Sequence, residues 1–391
     1  MCKCNSIMRS RSGPRGPGSS SRRYPQAAGG RCSLRPGHAG TEAQAGASTR
    51  AYKYLRLPAP DPTSVLPVGH PARPGRIPRL LLNLKTKLLS LGSARSAMDY
   101  SSTKEAAPAG AWWSRETVAV VTGANRGIGH ALAARLAEHG LTVVLTARDG
   151  ARGEAAAAPL RARGLAVVFR TLDVSDPASV AAFAAWLRDA LGGLDILVNN
   201  AAVSFNEIDT NSVEHAETVL RTNFYGAKML TEALLPLFRQ SPATSRILNI
   251  SSQLGLLNKV TDPSLKALLL DEETLTEAAI EAMASRFLAQ VKDGTWGGQG
   301  WPKVWTDYSV SKLALNAYSR LLARRLQARG ARVSVNCFCP GFTRTDMTKG
   351  WGKRTADEVA DIGARLALLP PAELPTGAFF KWCTPQLYSK L

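Results

Sequence analysis

Six residues, Thr117–Thr122 (TVAVVT), form a short apolar run that passes at once into Gly123-Ala124-Asn125-Arg126-Gly127-Ile128-Gly129. A run this short, β-branched and without polar alternation, suits a parallel strand buried on both faces. Beyond it, Ile128, Leu132 and Leu136 recur at helical spacing up to His139, and Gly140 is a stop signal. The chain must therefore turn sharply from strand to helix. Glycines at i, i+4 and i+6 remove the Cβ atoms that would block the turn and keep a ligand away from the backbone. The helix start then offers free amide donors and a partial positive charge, which suits a pyrophosphate.

The same alternation continues downstream. Leu141–Ala147, Ala166–Leu172, Leu194–Asn199, Arg246–Ile250, Arg332–Phe338 and Thr376–Trp382 read as further strands. An Ala-rich stretch, then Asp176–Leu191, Ser212–Phe238 and Asp307–Arg329, read as helices between them. Strands alternating with helices at this spacing predict an α/β fold with a doubly wound parallel sheet of Rossmann type, in a single domain over residues 98–391.

Residues 1–97 have a different character. They hold a net charge of +15, whereas Met98–Leu391 holds only +4. The basic balance of the whole chain therefore belongs to a leader rich in Arg, Ser, Gly and Pro, for which disorder is expected. An acid-poor, Arg- and Ser-rich start resembles a transit peptide, which would direct the protein to a plastid. The other reading makes Met98 the working start, with residues 1–97 a non-native extension and the enzyme cytoplasmic. The near-neutral body argues against a nucleic-acid partner. No run of about 18 apolar residues occurs, so no membrane-spanning helix is expected. Cys337 and Cys339 alternate with Phe338 in a strand-like run and read as core, and no metal-ligand spacing is present.

Thr122-Gly123-x-x-x-Gly127-x-Gly129 resembles the glycine motif of the short-chain dehydrogenase/reductase family, and the resemblance continues through about two thirds of the chain. Asp173-Val174 looks like the family's pair beside the adenine. Asn199-Asn200-Ala201-Ala202 is similar to its N-N-A-G motif, with Ala202 in place of glycine. Pro340-Gly341 is similar to the turn beside the nicotinamide, where Thr345 would meet the carboxamide. The resemblance implies a nicotinamide dinucleotide held by Gly123, Asn125, Arg126, Gly127, Ile128, Gly129, Arg148, Asp173, Val174, Asn200, Tyr308, Lys312, Pro340, Gly341 and Thr345. The residues themselves favour NADPH over NADH. The second strand ends Thr146-Ala147-Arg148, without the carboxylate that reads a free ribose, and Arg126 and Arg148 are both suited to a 2′-phosphate. Asp149, one residue later, is the competing carboxylate.

Tyr308-x-x-x-Lys312 places a phenol and an ammonium on one helix face. A free tyrosine titrates near a pKa of about 10, and a neighbouring cation is expected to draw it toward neutrality. By resemblance Tyr308 donates the proton, Lys312 tunes it and holds the ribose, and Ser252 rather than Ser251 holds the carbonyl oxygen. Asn223 supports a water-borne proton relay. Between Ser252 and Tyr308 lie 55 residues, far more than the usual member carries, and Asp271–Val291 within them has the pattern of an amphipathic helix. An insertion over about 253–306 resembles that of the carbonyl reductases and the menthone-, neomenthol- and salutaridine-type reductases, and implies a monomer. The aromatic loop Trp296–Trp305 either lines the substrate pocket or packs under the insertion. The expected activity is NADPH-dependent reduction of a small hydrophobic ketone or aldehyde, with no nucleic-acid or membrane partner. The alternative is a non-catalytic NADPH-binding scaffold.

Overall fold

The structure, a computed structural model, describes residues 110–206, 210–239 and 243–382, and the backbone of 384–390. The disorder expected of residues 1–97 falls outside the described residues.

The strands are β1 (Val118–Val121), β2 (Thr142–Ala147), β3 (Val167–Thr171), β4 (Ile196–Asn199), β5 (Ser245–Ile250), β6 (Val333–Cys339), β7 (Ala378–Lys381) and β8 (Thr384–Lys390). They form one sheet in the order β3-β2-β1-β4-β5-β6-β7-β8. The first seven strands are parallel neighbours, as the alternating pattern predicts. β8 is an addition to that expectation, pairing antiparallel with β7 and forming the sheet's far edge.

Helices cover both faces. α1 (Gly127–Glu138), α2 (Gly150–Ala162) and α9 (Ala356–Ala367) pack on one face, against Ala119 and Val121 of β1. α3 (Pro177–Leu191), α4 (Val213–Leu220), α5 (Ala227–Leu234) and α8 (Thr306–Ala328) pack on the other, against Val118 and Val120. The period-two alternation of a strand thus feeds two separate cores from four residues.

Three differences from the expected elements are local. α4 and α5 are separated by a π-helical turn, Arg221–Gly226, inside the single helix expected over Ser212–Phe238. The insertion holds two helices, α6 (Pro263–Leu270) and α7 (Glu277–Lys292), because Asp262 caps one start and Thr276 the other. α9 begins with a capping box, in which Thr355 and Glu358 each satisfy the other's backbone N–H. No helix among the described residues is long and apolar enough to cross a membrane.

The strand order reverses between β1 and β4, and the carboxyl ends of these strands open a crevice there. α8 packs along β6 and against the turn that follows β5, buried along nearly its whole length.

Candidate active site

The glycine turn after β1 is held from the β4 side. Thr122 Oγ1 accepts from the backbone N–H groups of Asn200 and Ala201, each at 2.9 Å. Asn200 Nδ2 donates to the carbonyls of Thr122 (2.8 Å) and Gly123 (3.1 Å). Asn200, expected as a cofactor contact, therefore commits its amide donors to bracing the loop. Gly123 has φ +60°, and a Cβ on it would lie 2.8 Å from Ala201 Cα; a Cβ on Gly129 would lie 2.3 Å from Asn200 Nδ2. These two positions must be glycine for the loop and its brace to meet at all.

Arg126 is the N-cap of α1 and supplies no side-chain cap, so the first-turn amides face the crevice without a competing side-chain acceptor. Gly127, at φ +57°, faces Thr345 across it, since its missing Cβ would lie 3.5 Å from Thr345 Cγ2. Asn125 and Ile128 are half-buried beside this turn. An open helix start behind a Cβ-free cradle fits a dinucleotide's pyrophosphate.

Arg148 is exposed just beyond β2. Asp149 caps α2, accepting from Arg152 N–H at 2.9 Å, and its other oxygen lies 3.6 Å from Arg152 Nε. The competing carboxylate is thus engaged by its own helix. Asp173 Oδ1 accepts from the backbone N–H (2.9 Å) and hydroxyl (2.6 Å) of Ser175, and Val174 is buried against Gly226. Pro340-Gly341 follows β6, and Gly341 (φ +74°) has Trp382 where a Cβ would stand. Thr345 opens a short turn locked by a reciprocal pair with Thr348.

At the chemical end, Ser251 and Ser252 part company. Ser251 is buried, and its hydroxyl donates to Asn316 Oδ1 at 2.5 Å. Ser252 is half-buried and its Oγ accepts from Leu254 N–H at 3.1 Å, which leaves its hydroxyl proton free to point into the crevice. Lys312 is buried, donating to the Ile250 carbonyl at 2.8 Å, with Nζ 5.6 Å from the Tyr308 ring centroid. Its pKa is pushed down to about 8 by burial, against the opposing influence of the Cys337 and Cys339 thiols. Enclosure raises the Tyr308 phenol, and Cys339 adds to the effect. The expected downward pull of Lys312 on Tyr308 is therefore outweighed by desolvation in this chain. A phenol held above its ordinary value stays protonated at neutral pH, as a proton donor requires.

Asn223 lies in the π-helical turn, with Oδ1 accepting from Val203 N–H (2.8 Å) and Nδ2 donating to Val203 O (2.9 Å) and Ser311 Oγ (3.1 Å). Its amide donors tie the segment after β4 to α8, the helix of Tyr308 and Lys312. Sequence reasoning passed over two further residues. Asn316 joins Ser251 to the Gly255 carbonyl (2.9 Å), and Gly255 touches the backbone of Lys312 so closely that a Cβ would lie 2.4 Å from its carbonyl carbon. The signal for Asn316 was present as a polar stripe, Tyr308, Lys312, Asn316 and Ser319, at helical spacing on a buried helix.

The aromatic loop divides between its two readings. Trp301 is buried, edge-on to Phe287 of α7 at 5.4 Å, and its indole donates to Gln290 Oε1 at 2.7 Å. Trp305 has left-handed backbone (φ +45°) immediately before α8, and its ring faces Phe342 at 6.2 Å. Phe205, Val304, Phe342 and Trp351 are exposed in the segments that flank the carboxyl ends of the strands around Tyr308. α7 lies across α4 and α8, and its Glu277 pairs with Lys228 of α5 (2.9 Å) and with Arg325 of α8.

A family model described as short chain dehydrogenase matches residues 117–263 and 294–367. The unmatched stretch between them contains α7. The chain is 39% identical over 285 residues to (+)-neomenthol dehydrogenase of Arabidopsis thaliana, covering 67% of this chain and 95% of that protein. It is 37% identical over 268 residues to carbonyl reductase [NADPH] 1 of Rattus norvegicus, again covering 67% and 95%. Salutaridine reductase from Papaver somniferum has a similar solved structure, with a TM-score of 0.63 at 35% identity, covering 68% of this chain and 99% of that one.

Proposed function

The chain belongs to the short-chain dehydrogenase/reductase family, and on that premise we propose that it reduces a hydrophobic ketone or aldehyde to an alcohol with NADPH. What supports this reading is that Lys312 lies beside the Tyr308 ring and reaches the Ile250 carbonyl, two residues before Ser252, whose Oγ accepts from Leu254 N–H and keeps its own proton to donate.

When bound in the crevice, NADPH would supply the hydride needed at the carbonyl carbon. The α1 start and Gly123 and Gly127 would hold its pyrophosphate, and Thr345 would meet its carboxamide. Ser252 donates its hydroxyl hydrogen to the substrate oxygen and fixes it against Tyr308. As negative charge develops on that oxygen, the Tyr308 O–H bond breaks toward it and leaves a phenolate. The Lys312 ammonium stabilises that phenolate. With a pKa near 8 it also exchanges protons readily near neutrality, so it is suited to restoring the phenol. Asn223 acts as a positioning residue through its bonds to Val203 and Ser311.

Arg148, exposed beside an Asp149 already engaged by α2, supports a 2′-phosphate and hence NADPH. The exposed Phe205, Val304, Phe342 and Trp351 support a hydrophobic substrate. The clamp of α7 over α4 and α8 covers a helical face that would otherwise be open, and supports a monomer.

The test is NADPH oxidation by the full chain with a panel of terpenoid, alkaloid and aromatic ketones, repeated with NADH and with Tyr308→Phe. Turnover that prefers NADPH and vanishes in Tyr308→Phe, while NADPH still binds, is the expected result. Turnover retained by Tyr308→Phe would defeat the mechanism, and NADPH binding without turnover on any ketone would favour the scaffold.

A further inference from the structure

The two arginines suited to a 2′-phosphate do not point to the same place. In the sheet, β2 and β6 lie on opposite sides of β1. Arg148 stands at the end of β2. Arg126 reaches the other way, to the segment after β6, where its Nη1 donates to Asp346 Oδ2 at 2.8 Å.

Both ends of this ion pair are anchored in the backbone. Arg126 is the N-cap of α1 and is followed by Gly127 in a left-handed conformation that the glycine turn requires. Asp346 sits in a loop that bonds to itself at its base, through Arg344 N–H to Arg354 O (2.8 Å) and Lys353 N–H to Phe342 O (3.0 Å). Within the loop, Thr345 and Thr348 lock the turn that carries Asp346. On its far side, Asn206 Nδ2 donates to the Met347 carbonyl at 2.6 Å. A Cβ on Gly352 would lie 2.3 Å from Arg344 N, so the loop is closed tightly. The Arg126 side chain can change partner, whereas the two backbones that carry the pair are held.

We propose that Asp346 is a determinant of cofactor discrimination, because its carboxylate competes with the 2′-phosphate of NADPH for the Arg126 guanidinium. This rests on the reading above that Arg126 serves that phosphate. One guanidinium fork makes its bidentate contact with one oxyanion at a time. NADH carries a hydroxyl at that position, so Arg126 remains on Asp346 when NADH binds and nothing is lost. NADPH must first break the ion pair. Asp346 therefore lowers NADPH affinity, and lowers the preference over NADH by the same factor. The pair is exposed, with side-chain accessibilities of 66% for Arg126 and 71% for Asp346. An exposed pair of this kind corresponds to roughly a 2- to 5-fold change in a binding constant. Affinity changes within one interface fall mostly on dissociation, so the same carboxylate should speed release of the phosphorylated cofactor.

The experiment measures NADPH and NADH dissociation constants on the full 391-residue chain, by quenching of its tryptophan fluorescence, at low and at high salt. The variants are Asp346→Asn, Arg126→Met and the double variant. Asp346→Asn should bind NADPH about 2- to 5-fold more tightly at low salt and NADH unchanged, with the gain shrinking at high salt. Arg126→Met should weaken NADPH selectively, and Asp346→Asn should add nothing in its background. If Arg126→Met weakens NADPH selectively but Asp346→Asn leaves it unchanged, weakens it, or shifts NADH equally, the competition is refuted and the arginine reading stands. If Arg126→Met leaves NADPH binding intact, the arginine reading fails and the competition falls with it.

Discussion

Gly255→Ala tests whether the turn after Ser252 sets the reacting geometry. Gly255 ends the short 3-10 turn that Ser252 caps, and it lies directly on the helix of Tyr308 and Lys312. A Cβ there would stand 2.4 Å from the Lys312 carbonyl carbon, 2.5 Å from Leu313 N and 2.7 Å from Lys312 O, where ordinary contact begins at 3.4 Å. All three atoms are backbone, so no side chain can swing aside. α8 is buried along nearly its whole length and cannot retreat, so the turn must move by about 1 Å and carry Ser252 with it. The move also stretches the bond from Asn316 Nδ2 to the Gly255 carbonyl, now 2.9 Å. Misplacing a reacting group by about 1 Å costs on the order of 100-fold in rate. Overpacking of this kind costs about 1–3 kcal/mol of stability, which lowers Tm by about 2–4 °C per kcal/mol in a domain of this size. The assay is kcat for NADPH-dependent ketone reduction alongside a thermal melt, with Gly297→Ala as control because nothing lies within 4 Å of its added Cβ. Gly255→Ala should lose turnover and several degrees, and Gly297→Ala neither. A Gly255→Ala protein with normal kcat would show that the contact does not govern Ser252.

Three further outcomes are expected. Burial lowers Lys312 from 10.5 to about 8, so between those pH values the unfolded chain holds a proton that the folded chain has lost. The penalty is full below about pH 8 and is relieved as pH rises toward 10.5, so wild type should gain stability relative to Lys312→Met across that window in urea unfolding. A flat difference curve would mean that Lys312 titrates alike in the folded and unfolded chain, and would refute its lowering by burial. Arg148→Ala should weaken NADPH by about 10- to 100-fold, the range of a lost charge-assisted bond, and leave NADH nearly unaffected; equal losses for both would remove Arg148 from cofactor selection. Sedimentation should show a monomer at all accessible concentrations, and a stable dimer would mean that α7 does not cover the interface face.

The order of strands and helices, the glycine turn and the Tyr308–Lys312 pair were legible because each is written in local spacing. Short apolar runs, recurrence near 3.6 and residues at i and i+4 are all set within a few neighbouring positions. The capping box at Thr355 and Glu358 was written in the same local terms and was overlooked, and α9 with it. Other features depend on what arrives from elsewhere in the chain. Asn200 reads as a cofactor residue until the turn after β1 places two carbonyls against its amide. Trp301 and Trp305 belong to one aromatic loop, but Phe287 of α7 claims the first and Phe342 beyond β6 faces the second. Lys312 beside Tyr308 implies a lowered phenol pKa only while desolvation is ignored, and desolvation is set by the strands and helices packed around both. The partner of Arg126 is 220 residues away. Backbone propensity and side-chain periodicity thus determined the architecture and the identity of the chemical groups. Burial, and contacts between distant segments, decided which groups were spent on structure and which were left for chemistry, because neither desolvation nor a hydrogen-bond partner is a property of sequence spacing.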